Sequence, residues 1–193
     1  MKAPVVIIGV GALGSHLALF ARNWNHPLRV VDFDHIETKN VLSQFHSKMG
    51  MGKNKAQGIQ QALQGLFGIK VEAIPHRLTE DNSKVLLGGA ALVIDCTDNG
   101  ASRRCIKAFV RKNNIPCLHG CLSADGQFAQ VIWDEIFEED DEGTPGQATC
   151  EDGANLPFHA LAAAQLAVVA QMFLSTGTRR SLMLLPDKTV RLA

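Results

Sequence analysis

The sequence predicts an α/β fold: a mostly parallel sheet between layers of helices, with antiparallel strands added in the C-terminal part. Two observations carry this. Short β-rich runs alternate with helical patterns up to about residue 116, the order that parallel strands joined by crossover helices produce. Beyond that point an Asp-Gly turn signal, Asp125-Gly126, separates two further β-rich segments, Cys117 to Leu122 and Gln127 to Trp133, as in a hairpin.

The elements follow in order. Val5-Val6-Ile7-Ile8 is continuously apolar, as a strand covered on both faces is, and a helix is expected from about Ala12 to Asn23. Pro27 punctuates, and Leu28 to Phe33 is the second strand. Lys53 to Leu66 has a helical pattern interrupted by Gly58. Val71 to Ile74 is a short strand ended by Pro75, and Thr79 is placed to cap a helix running to Leu87. Ala91 to Asp95 is another buried strand, followed by a helix over about Ser102 to Asn113 and a strand beginning at Pro116. Residues 134–156 are read as a mobile acidic crossover loop, because a connection this long in a compact domain is commonly functional. A helix over Pro157 to Leu174 and a hairpin turning at Pro186-Asp187, between Ser181 to Leu185 and Thr189 to Leu192, close the chain.

Composition narrows the function classes. The 193 residues are 46% hydrophobic and 20% charged, an ordinary globular balance for a single domain over 1–193. Nineteen basic residues offset nineteen acidic ones, which argues against a duplex nucleic-acid binder that works by clustered positive charge. Five scattered cysteines make no disulfide framework, and a reducing cytoplasm fits them best. Met1 to Phe20 has the outline of a signal peptide, but its glycines, Ser15 and His16 favour a strand, turn and helix. His159 to Leu174 is apolar yet broken by Gln165 and Gln171, so a buried helix at a subunit contact is expected rather than a membrane span.

The chemistry concentrates at one end of the predicted sheet. Gly9-Val10-Gly11-Ala12-Leu13-Gly14 follows a strand and opens a helix, the setting in which G-x-G-x-x-G cradles a phosphate against free helix N–H groups. Asp32 ends the second strand, 18 residues beyond Gly14, where a carboxylate can accept from ribose hydroxyls. These features fit NAD as well as ATP. Lys53 and Lys55 open a helix, where their charge can reach a phosphate or simply face solvent. Asp98, just past a buried strand, is either a helix N-cap or a metal acid. A bare carboxylate would repel a nearby pyrophosphate by several kcal/mol at low effective dielectric. Mg²⁺ between them reverses the sign, since it is commonly held by one or two carboxylates plus phosphate oxygens. Together these groups describe a metal–nucleoside triphosphate site.

The order of motifs resembles the ThiF/MoeB-type adenylyltransferases, the bacterial relatives of ubiquitin-activating enzymes, over nearly the whole chain. The resemblance rests on Gly9 to Ser15, Asp32-Phe33-Asp34 leading to Asn40, and Gly52-Lys53-Asn54-Lys55-Ala56. It continues through Asp95-Cys96-Thr97-Asp98-Asn99 with Arg103, and from Pro116 to Gln127. It implies a Rossmann-like three-layer fold in which Gly9, Gly11, Ala12, Leu13 and Gly14 hold ATP, with Asp32 on the ribose and Asn40 orienting the nucleotide. It further implies that Lys55, flanked by Lys53, meets the phosphates and that Asp98 holds Mg²⁺. The implied reaction is adenylation of the C-terminal carboxylate of a small ubiquitin-like or sulfur-carrier protein by a homodimer.

Several residues depart from that pattern. Ser43 stands where the family has an arginine three residues after the asparagine. The first strand is expected by about Pro4, which leaves no length for the N-terminal segment that lends a further arginine in relatives; Arg22, Lys48 or Lys53 are the candidates to compensate. No two Cys-x-x-Cys pairs exist, so no zinc is expected, and Cys96, Cys105, Cys117 and Cys121 read as small core residues. Cys150 resembles by position the family's crossover-loop cysteine, which in some members receives the acyl group as a thioester or takes part in sulfur transfer, although Glu151 and Asp152 would raise its pKa. The seven acids between Asp134 and Glu142 read as a solvated loop, or as a surface that steers a basic partner. His35 and His119 read as structural. A non-catalytic nucleotide-binding scaffold and an NAD-linked oxidoreductase remain the competing functions.

Overall fold

The computed structural model describes residues 2–123, 125–138 and 153–192. Its strands form one sheet in the order β3-β2-β1-β4-β5-β6-β7-β8. The parallel part comprises β1 (Val5–Ile8), β2 (Leu28–Val31), β3 (Val71–Ile74), β4 (Leu92–Asp95) and β5 (Cys117–Leu122). The antiparallel part adds β6 (Ala129–Trp133), β7 (Ser181–Leu185) and β8 (Lys188–Leu192). The expected Rossmann-like α/β class is therefore the observed one, including the antiparallel extension.

Alternation along the strands explains the layers. Val5 and Ile7 of β1 join Val30, Ile94 and Leu118 in one core, while Val6 and Ile8 join Val31, Val93 and Cys117 in the other. The first core receives α1 (Ala12–Phe20), α3 (Lys55–Phe67) and α6 (Leu156–Thr176); the second is covered by α4 (Glu80–Leu87) and α5 (Gly100–Asn113). Helix α6 is long and apolar enough to cross a bilayer by length and composition. Its inner residues Phe158, Ala162, Leu166 and Ala170 are nonetheless spent in the first core.

Helix limits follow their caps. Asn54 accepts from the Gln57 N–H and starts α3 two residues later than expected. Thr79 caps α4 in a reciprocal box with Asn82, as the sequence indicated. Asn99 accepts from the Ser102 N–H and starts α5. A one-turn helix, α2 (Asn40–Ser43), lies in the β2–α3 connection where no helix was expected.

The acidic connection needs correction at its start. Asp134–Ile136 is a 3₁₀ turn, and Asp134 and Phe137 are buried rather than solvated. Asp134 is held by Arg111, whose Nε lies 2.6 Å from Oδ2 and whose other guanidinium nitrogen reaches the Asp134 carbonyl at 2.7 Å. The rest of the acidic run from 139 to 142, and Cys150, lie outside the described residues.

Candidate nucleotide site

Strand order reverses between β1 and β4, and in open α/β sheets ligands bind at the carboxyl ends of the strands beside such a switch point. The glycine turn occupies that place. Gly9 has φ +81°, and a Cβ there would lie 2.8 Å from the Cys96 carbonyl oxygen. A Cβ on Gly14 would collide with the carbonyl oxygen of Gly9, so α1 packs directly on the turn. Gly11 is different: among the described residues beyond its chain neighbours, a Cβ there would meet within 4 Å just the Gln44 amide nitrogen, 3.9 Å away. Space is therefore open at the second glycine, before the free N–H groups that begin α1.

The Val10 peptide is fastened on both sides. Its N–H donates to Asp32 Oδ2 at 2.7 Å, and its carbonyl accepts from His46 Nε2 at 2.9 Å. Asp32 Oδ1 also accepts the Asp34 N–H at 2.8 Å. Asp32, expected to meet a ribose, is thus buried and already braces the glycine turn; burial pushes its pKa up, against the two backbone bonds. Each carboxylate oxygen retains a further lone pair for a hydroxyl.

Asn40 is buried at the start of α2, and its Oδ1 accepts the Glu37 N–H at 2.8 Å. Lys55, the first residue of α3, is buried, with Nζ 3.3 Å from Asp34 Oδ2. Lys53 instead donates to Gln61 at 2.7 Å on the exposed flank of α3. Asn54 between them donates to the carbonyls of Asp32 and Asp34 at 2.8 and 3.1 Å, tying the strand end to the helix. The roles of Asn54 and His46 escape the sequence, because the partners they hold lie 22 and 36 residues away.

Asp98 is exposed and, among the described residues, takes no hydrogen bond or ion pair. The N-cap role open to it falls to Asn99. Asp98 follows the turn after β4, whose end neighbours the glycine turn through the Cys96 N–H to Ile8 carbonyl bond of 2.8 Å. Among the described residues no cluster of three or more His, Cys, Asp or Glu side chains is placed to hold a metal. A divalent ion at Asp98 would accordingly draw its remaining ligands from phosphates and water, as Mg²⁺ does.

Ser43 is fully buried and, among the described residues, its hydroxyl has no hydrogen-bond partner. Arg22 caps the far end of α1 through the Leu19 carbonyl at 2.7 Å and lies over Phe67, away from the glycine turn. The Cys96 thiol is pushed well up by burial and then by Asp95, and burial likewise raises Cys117. Neither is an available nucleophile at neutral pH.

Known proteins bear on this arrangement. The molybdopterin-synthase adenylyltransferase of Salmonella typhimurium is 29% identical over 137 residues, covering 69% of this chain and 55% of that protein. The sulfur carrier protein adenylyltransferase of Thermus thermophilus is 32% identical over 133 residues, 66% of this chain and 49% of that protein. The chain thus spans about half the length of these two relatives. Among solved structures, Escherichia coli MccB with ATP superposes with a TM-score of 0.76 at 17% identity, over 98% of this chain and 63% of MccB, a likeness of fold. With residues 1–179 matching its description, the chain belongs to the ThiF family.

Proposed function

We propose that the chain is an ATP- and Mg²⁺-dependent adenylating domain acting on the C-terminal carboxylate of a small ubiquitin-like or sulfur-carrier protein. The observation that supports it best is Asp98, an exposed carboxylate unpaired among the described residues, at the sheet edge that carries the open Gly11. Such a group repels the pyrophosphate of a dinucleotide and suits a metal-bound triphosphate. Bound Mg²⁺ would supply charge neutralisation on the phosphates, held by Asp98.

In this reading the α1 amides and Lys55 bind phosphate oxygens, Asp32 binds the ribose and Asn40 orients the nucleotide. Lys53, engaged with Gln61, takes a lesser part. The carrier's carboxylate attacks the α-phosphorus of ATP, the bond to the β-phosphate oxygen breaks, and pyrophosphate leaves behind an acyl-adenylate. No base is required, because the attacking carboxylate is already ionised at neutral pH. Positioning and charge therefore supply the catalysis. That the relatives are a sulfur carrier protein adenylyltransferase and a molybdopterin-synthase adenylyltransferase supports the class of acceptor. Onward transfer to Cys150, a homodimer and a cytoplasmic setting belong to the same reading.

A nucleotide-binding scaffold with little catalysis is the second reading, favoured by Ser43, whose buried hydroxyl supplies no charge where the family pattern implies an arginine. ATP–pyrophosphate exchange with candidate carrier proteins separates the two. Carrier-dependent exchange is expected from the native chain, and Asp98→Ala is expected to lower it by about 10²–10³-fold. Tight ATP binding without exchange for any carrier would favour the scaffold.

A further inference from the structure

A buried charge network lies behind the sheet edge and takes part in none of the steps above. The β4–β5 register sets Asp95 beside His119, and both are buried, at 1% and 0% exposure. His119 Nδ1 lies 2.9 Å from Asp95 Oδ2, and Nε2 lies 3.2 Å from Asp134 Oδ1. Phe137 stacks on the ring at 4.1 Å, and Arg111 closes the far side of Asp134. Both ring nitrogens face carboxylates, so the imidazole donates from both and is a cation. Burial alone opposes that charge; the bonds to Asp134 and Asp95 outweigh it, and the pKa is pushed up to about 12.

The other oxygen of Asp95 reaches toward the nucleotide site. Oδ1 accepts from the Thr97 N–H at 2.9 Å and from the Thr97 hydroxyl at 2.7 Å. Arg103 donates to the Thr97 carbonyl at 2.8 Å. All three polar groups of Thr97 are thereby held, and Asp98 is the next residue. We infer that His119 is a positioning residue for the metal-facing carboxylate: it fixes Asp95, Asp95 fixes Thr97, and Asp98 is presented at the sheet edge in one geometry. This rests on the reading of Asp98 as the Mg²⁺ acid and deepens it. A neutral side chain at 119 leaves Asp95 as a buried carboxylate without its cation, a strongly unfavourable state that the turn relieves by moving toward solvent.

The test is ATP binding by titration calorimetry with and without Mg²⁺, which reads the metal's effect apart from turnover. Asp98→Ala is the reference and should lose the Mg²⁺-induced tightening shown by the native chain. In His119→Gln the tightening should fall by about tenfold or more, the usual cost of removing a group that orients a metal ligand, with Mg²⁺-free affinity held within about twofold. Thr97→Val breaks the same link at the partly buried turn, and a fall in the same direction is expected even if His119→Gln does not fold. Leu184→Ala, a core truncation on β7, should lower the melting temperature without changing the Mg²⁺ effect. The inference is overturned if Thr97→Val or a folded His119→Gln keeps native tightening, or if Leu184→Ala loses as much. If Asp98→Ala itself retains the tightening, the metal reading of Asp98 fails, and His119 has no such carboxylate to position.

Discussion

At the scale of single residues, His46 gives the site a pH dependence. Its Nε2 bonds a carbonyl, which only accepts, so that nitrogen carries the proton and Nδ1 is the bare one; Nδ1 is buried and, among the described residues, unpartnered. Protonating Nδ1 places a charge in the interior with no acceptor, and burial lowers the pKa to about 4. Between pH 6.5 and 4 the unfolded chain takes up a proton that the folded chain refuses. The His46 contribution to stability is thus at its full value above 6.5 and declines as pH falls through that window, by on the order of 2–3 kcal/mol. Urea titrations from pH 7 to pH 4 should show this decline, and His46→Gln should flatten it. An unchanged slope in the variant would refute the assignment. The asymmetry between legible and illegible residues also lies at this scale. The glycines, Asp32, Lys55 and Asp98 could be placed at the ends of their elements from the sequence because each sits at a fixed offset from a strand or helix end. His46, Asn54 and His119 could not, because their partners are 36, 22 and 24 residues distant and meet them only through tertiary pairing. Asp134 was misread for the same reason: six nearby acids implied solvent, and Arg111 and His119 supplied the burial.

At the scale of elements, the β1–α1 turn separates two functions of glycine that the motif alone does not distinguish. Gly14 gives close packing, since a methyl group there meets the Gly9 carbonyl, whereas Gly11 gives open space. Gly14→Ala should therefore destabilise the fold by about 1–3 kcal/mol, the range for overpacking. Gly11→Ala should leave the melting temperature close to native while weakening ATP binding, because its methyl group fills the volume a phosphate would occupy. Thermal denaturation paired with ATP titration checks both. A Gly11→Ala protein that binds ATP at native strength would remove the phosphate from this turn. The sequence did show where the strands and the longer helices lie, though not the one-turn α2. What it blurred were their first residues, because the caps Asn54 and Asn99 look like any other polar residue until their side chains are seen bonded to the third N–H beyond them.

At the scale of the whole molecule, one continuous sheet carries two cores, and α6 faces inward with one side only. Its 21 residues contain no Asp, Glu, Lys or Arg. Ala162, Leu166 and Ala170 pack inward, while Leu161 and Val168 remain 38% and 54% exposed. Their spacing of seven places these two on one side of the helix. An uncharged outward stripe on a helix whose other side is already committed to the core suits a second copy of the chain better than water. Sedimentation equilibrium should accordingly show a dimer. Leu161→Glu combined with Val168→Glu should give a monomer with little change in melting temperature, because neither side chain contributes to the buried core. The native chain sedimenting as a monomer, or the double variant remaining dimeric, would show that the stripe is not the contact. If the dimer dissociates and carrier-dependent exchange persists, each nucleotide site is complete within one chain; if exchange is lost with the dimer, the second copy contributes to the site.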